Sequence, residues 1–74
     1  MNMSDNFYQP LSLNPGDVYT LPFEDGQMHV IEIVSVECDG FLVLAKADNS
    51  QEIIEIAAAH LQERAKAARE ELLY

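Results

Sequence analysis

The side chains in this sequence best suited to covalent or metal chemistry are one thiol, Cys38, and two imidazoles, His29 and His60. A nucleophilic cysteine needs a neighbouring base and an electropositive setting that favours the thiolate. Cys38 stands between Glu37 and Asp39, whose charges oppose the thiolate, so it reads as a plain turn or edge thiol. Together with His29 and His60 it would make a trio without recognisable ligand spacing, and neither a metal nor a cofactor is expected. Carboxylates are adjacent at Glu24-Asp25 and Glu70-Glu71. Adjacency in an exposed turn or at a helix end does not create the divergent environments that acid and base roles require. The three glycines stand alone at positions 16, 26 and 40, so no loop cradles a phosphate. The sequence predicts no enzyme.

Charge points elsewhere. Thirteen Asp and Glu against four Lys and Arg give a formal net charge of -9. Residues 1–45 hold seven acids and no Lys or Arg, whereas residues 46–74 hold six acids and all four bases. A phosphate backbone is bound by clustered cations that release its counterions, so direct nucleic-acid binding is not expected. An acidic surface suits a basic or polar protein partner, with its value in steering and specificity more than in raw affinity. The 49% apolar content is that of a folding chain, and 74 residues form one small domain. At ~0.05–0.15 kcal/mol per residue its stability is about 4–11 kcal/mol, which leaves little to hold a strained catalytic site.

The elements that must position these groups are marked by regular turn signals. Asn14-Pro15-Gly16 begins the domain, expected over residues 15–74. Strands are predicted at about 17–23, 27–36, 41–47 and 51–56, separated by Glu24-Asp25-Gly26, Asp39-Gly40 and Asp48-Asn49-Ser50. In the first, Tyr19, Leu21 and Phe23 share a face and Pro22 closes an edge. In the second, Val30, Val34 and Val36 share one side and Ile31 and Ile33 the other, so both faces are expected to be at least partly covered. Asp39-Gly40 is the strongest hairpin signal. From residue 57 to about 72 the sequence turns to Ala, Glu, Arg, Lys, Gln and Leu, which predicts a helix. Its apolar stripe is Ala58, Leu61, Ala65, Ala68 and Leu72, with Glu63, Arg64, Lys66, Arg69 and Glu70 on the wetter side. The fold class is therefore α+β, a four-stranded antiparallel β-meander followed by a C-terminal α-helix.

Residues 1–14 fit neither helical nor strand period and read as a flexible, extended N-terminal arm. The arm concentrates Phe7, Tyr8 and Leu11, and aromatics on such a segment anchor in a partner's groove or fold back over an open sheet edge. With Glu24, Asp25, Val30, Glu32 and Asp39 these form the expected partner-binding set. The first thirteen residues lack the cations and apolar run of a secretory signal, and no apolar stretch approaches the ~20 residues of a membrane span. One unpaired cysteine fits a reducing compartment, so a cytoplasmic monomer without membrane contact is expected.

Two resemblances follow from this plan. The run from Asp17 through Asp39-Gly40 to the helix resembles the carbon storage regulator family of small RNA-binding proteins. That family binds RNA with basic residues near its strand ends, where this sequence offers Glu55, Ala57 and Ala58. The plan of arm (Phe7, Tyr8), strands around Val30–Val36 and Phe41–Ala47, and helix from Ala57 resembles a type of small transcription regulator from a Xanthomonas phage. The resemblance implies a non-enzymatic inhibitor that binds the N-terminal region of the β′ subunit of bacterial RNA polymerase. It would displace σ from the enzyme and promote antitermination, working in the host cytoplasm. The alternative reading of the same charge is an acidic nucleic-acid mimic that inhibits a DNA-binding or CRISPR protein.

Overall fold

The computed structural model describes residues 10–72, with side chains described to residue 70. Four strands, β1 (Val18–Pro22), β2 (Met28–Glu37), β3 (Leu42–Ala47) and β4 (Ile54–Ala57), precede one helix, α1 (Ala58–Leu72). They form a single antiparallel sheet in chain order, β1-β2-β3-β4, so the meander and terminal helix expected from the sequence are the observed fold. Phe7 and Tyr8 lie outside the described residues.

Alternation sorts each strand onto two faces. The helix-facing side carries Leu21, Ile31, Ile33, Val43 and Ala45, all buried, with Tyr19, Phe23, Val36, Ala47 and Ile56 packed around them. Helix α1 closes this core with Ala58, Leu61 and Ala65, spaced three and four residues apart on one stripe. Small alanines let the helix approach the sheet closely, and Leu61, with no exposed surface, is its main anchor. The opposite face carries Val18, Met28 and Val30, which are 58, 57 and 39% exposed. The single helix lies over one face; on the other Leu42 and Leu44 are part-buried while Val18, Met28 and Val30 are exposed, so the cover expected for both faces is only partial on the second.

Strand β2 departs from the simple alternation. Ile33 pairs with Ala45 while Ser35 pairs with Leu44, so Val34 is an extra residue at a β-bulge. The bulge shifts the parity of the strand: Val36 packs against the core and pairs with Val43, while Val30 stays on the outer face. The shared side predicted for Val30, Val34 and Val36 is thus broken by one inserted residue.

The turns also differ from a minimal meander. Glu37 pairs with Leu42, which makes the β2–β3 connection four residues long instead of a two-residue Asp-Gly hairpin. Cys38, Asp39 and Gly40 take φ of 53°, 54° and 97° in turn, a left-handed path that Asp and Gly tolerate best. Residues 51–53 leave the sheet, and β4 begins at Ile54, three residues later than predicted.

Residues 10–14, the described end of the predicted arm, lie against the domain. Leu13 is buried and Leu11 packs on the core. The Gln62 side chain holds the Leu11 backbone from both sides: Leu11 N–H donates to its Oε1 at 2.7 Å, and its Nε2 donates to the Leu11 carbonyl at 2.9 Å. Tyr19 Oη accepts from Leu13 N–H at 3.0 Å and donates to Asp17 Oδ2 at 2.9 Å. Asp17 also receives the backbone N–H of Asn14 and the Ser12 hydroxyl, so its carboxyl is held below the ordinary 3.8 by these donors.

Candidate functional site

Two chain reversals, Glu24–Gln27 between β1 and β2 and Asp48–Ile53 between β3 and β4, lie at the same end of the sheet because the meander returns there every second strand. Between them is a cleft of about 400 Å³, lined by Phe23, Ile31, Ala47, Ile54 and Ile56 and rimmed by Glu24, Asp25, His29 and Asp48. Its lining comes from β2, β3, β4 and the two turns, on the core-facing side of the sheet.

His29 joins the rims. It follows the β1–β2 turn, faces inward opposite Leu21, and stands edge-on to Phe23 with ring centroids 5.4 Å apart. Its Nδ1 lies 2.6 Å from Asp48 Oδ2 and its Nε2 lies 2.8 Å from Asp25 Oδ2. A neutral imidazole has one N–H and one lone pair, so only the imidazolium can donate to both carboxylates. The carboxylate of Asp48, then that of Asp25, raises the His29 pKa above 6.5 against the opposing effect of desolvation. Reciprocally, both carboxyls are held below 3.8, first by His29 and then by the backbone N–H of Gln27 for Asp25 and of Val30 for Asp48.

Asp48 is the stronger fixture. It sits at φ 54°, and its N–H donates to the Val30 carbonyl at 2.8 Å while its Oδ1 accepts the Val30 N–H at 2.9 Å. These bonds tie the β3–β4 turn to β2, and the His29 contact completes the tie to β1–β2. On the helix side, His60 Nε2 lies 3.1 Å from Glu24 Oε2 and the His60 ring packs at a tilt near Phe23. Arg64, predicted on the wetter side of the helix, instead reaches under the sheet end. Its Nε donates to the Pro22 carbonyl at 2.7 Å and its guanidinium stands 3.7 Å from Glu24. Glu24 is held below 4.5, chiefly by its own backbone N–H and further by His60 and Arg64.

The sequence-predicted binding residues do not converge. Glu24 and Asp25 reach the cleft rim. Val30 and Glu32 lie on the outer sheet face, where Glu32 pairs in register with Val18 and Lys46. Asp39 is at the other end of β2. Leu11, read as part of a flexible arm, is half-buried against α1 and the core, because Gln62 replaces the water its backbone would otherwise bind. The residues that sequence reasoning missed are Asp48, His29, Ile54 and Ile56. Of these, only the alternation of Ile54 and Ile56 toward a turn could have hinted at an apolar lining.

Cys38 lies exposed in the β2–β3 turn, at the end of β2 remote from His29. Among the described residues no helix is long and apolar enough to cross a membrane. No protein-family model, curated protein or solved structure matches the chain.

Proposed function

We propose that this chain is a non-enzymatic inhibitor that attaches to bacterial RNA polymerase at the N-terminal region of its β′ subunit, hinders initiation by displacing σ, and promotes antitermination. The observation that carries the protein-binding part is the composition of the surface made by β1, β2 and their flanking turns. Val18, Met28 and Val30 are exposed on its outer face with Glu32, whereas Glu24 and Asp25 stand in the turn that ends it, and no Lys or Arg occurs between residues 10 and 45. Apolar side chains supply affinity for a protein surface, and the net negative charge of this segment, with Lys46 alone beside Glu32, favours a basic surface over phosphate. The polymerase target comes from the resemblance in chain plan, and a small acidic cytoplasmic monomer suits that role.

Purified bacterial RNA polymerase holoenzyme tests this. The chain should co-migrate with the enzyme on a native gel, reduce transcription from a σ-dependent promoter and release σ in a dose-dependent way. No association with holoenzyme or with isolated β′ fragments would overturn the polymerase assignment. A second reading is favoured by the same acids: a nucleic-acid mimic whose carboxylates stand for phosphates in a basic channel. Its binding would fall steeply with salt, whereas an apolar-anchored complex changes little.

A further inference from the structure

Resting on the protein-binding reading above, we propose that the cleft between the β1–β2 and β3–β4 turns receives an apolar side chain of a partner segment that carries a lysine or arginine next to it. The floor supplies the first half of this specificity. Ile31, Ala47, Ile54, Ile56 and Phe23 have hydrocarbon side chains, and the cleft volume of about 400 Å³ accommodates a leucine or phenylalanine side chain. Ile54 and Ile56 belong to edge strand β4, so the floor is open to an approaching segment from that side.

The rim supplies the second half. Glu24, Asp25 and Asp48 have side chains 60, 54 and 49% exposed, and all three are ionised at neutral pH. The basic groups near them are already engaged within the chain, His29 between the two aspartates, His60 against Glu24, and Arg64 on the Pro22 carbonyl and beside Glu24. Lys46 lies on the other face of the sheet, in register with Glu32. A carboxylate offers about four acceptor sites, and Asp25 and Asp48 each spend two, on His29 and on one backbone N–H. The unspent sites belong to half-exposed carboxylates that line the cleft. A partner cation fits there and a partner carboxylate is repelled.

The test is titration of the full-length ¹⁵N,¹³C-labelled chain with three end-blocked tetrapeptides: Gly-Leu-Arg-Gly, Gly-Leu-Glu-Gly and Gly-Gly-Arg-Gly. The first should produce saturable shifts in the signals of Ile31, Ala47, Ile54 and Ile56. The other two should bind about tenfold more weakly, one through charge repulsion and one through the lost apolar side chain. Asp48→Asn should narrow the preference for arginine over glutamate, and Ile54→Lys, at a part-buried position on edge strand β4, should abolish the response while circular dichroism reports a retained fold. Absence of saturable cleft shifts, or equal affinity for all three peptides, would overturn the proposal. So would cleft signals that move in the full-length Phe7→Ala/Tyr8→Ala variant while no peptide binds, since these would give the cleft to the chain's own N-terminal segment. Holoenzyme capture by Ile54→Lys separates the two levels of argument. Undiminished capture with no peptide response sinks the cleft proposal alone, whereas a peptide response with no capture by the native chain sinks the polymerase assignment alone.

Discussion

His29 Nδ1 and Asp48 Oδ2 stand 2.6 Å apart although 19 residues separate them in the chain. This contact links the two turns of one sheet end, because Asp48 also grips the Val30 backbone and His29 also grips Asp25. Three elements are thereby held through one imidazolium, at the mouth of the cleft.

That arrangement makes stability depend on pH in a stated direction. The folded pKa of His29 is raised, so its contribution is full below the unfolded value of 6.5 and is lost as pH rises through the folded value. The folded pKa values of Asp25 and Asp48 are depressed, so their contribution is full above 3.8 and is lost as pH falls through the folded values. The tie is therefore complete between about pH 4 and 6.5. His29→Gln keeps a polar side chain but cannot carry the charge. Thermal melts from pH 5 to 9 should show the native Tm falling across the alkaline part of this range and the variant profile markedly flatter. Parallel profiles would mean that His29 does not carry the dependence.

The docking of residues 10–14 depends on Gln62. Gln62→Ala removes both bonds to the Leu11 backbone and leaves that backbone to find water. The loss should be about 1–2 kcal/mol, since the site is only half-buried and the freed groups can rehydrate. Amide exchange separates this from a global effect: the amides of Leu11 and Leu13 should lose protection while those of Ile31 and Ile33 keep theirs.

Leu61 is the side chain on which the helix–sheet contact turns. It has no exposed surface, and its stripe neighbours Ala58 and Ala65 are too small to fill the space it would vacate. Leu61→Ala should cost ~2–5 kcal/mol. Against a total of about 4–11 kcal/mol for a domain this size, chemical denaturation should show a midpoint lowered by about a fifth or more. A shift below 1 kcal/mol would mean that the helix is held chiefly by its polar contacts to Leu11 and Pro22.

The order of elements was legible in the sequence because it follows from local signals. The Gly and Pro turns, the β-branched runs and the switch to Ala, Glu and Arg after Ile56 each act over a few residues. The bulge at Val34 was not legible, since nothing in Ile33-Val34-Ser35 distinguishes an inserted residue from a regular one; it is set by the partner strand. Part of the site was equally hidden. Glu24 and Asp25 were recognised as turn acids, but their pairing with His29, and through it with Asp48, exists only once β2 and β3 are in register. Gln62 lies outside the apolar stripe of the helix, and its partner is a backbone 51 residues earlier, which no side-chain periodicity encodes.

The outer sheet face provides the final prediction. Val30 is 39% exposed on that face, while its backbone is fixed by Asp48, so the side chain can be changed without moving the strand. Val30→Glu should lower the melting temperature by only a few degrees, because the site is partly open to water and the glutamate stem keeps part of the cover that valine gives. If this face meets the polymerase, the substitution places an unpaired carboxylate in the contact, and affinity for holoenzyme should fall at least tenfold. Salt then separates an apolar contact from phosphate mimicry. Between 0.1 and 1 M salt the screening length falls from ~10 to ~3 Å, so native binding through Val18, Met28 and Val30 should weaken only slightly. Binding that collapses over this range, and that tolerates Val30→Glu, would instead place the interaction on the carboxylates and support the mimic.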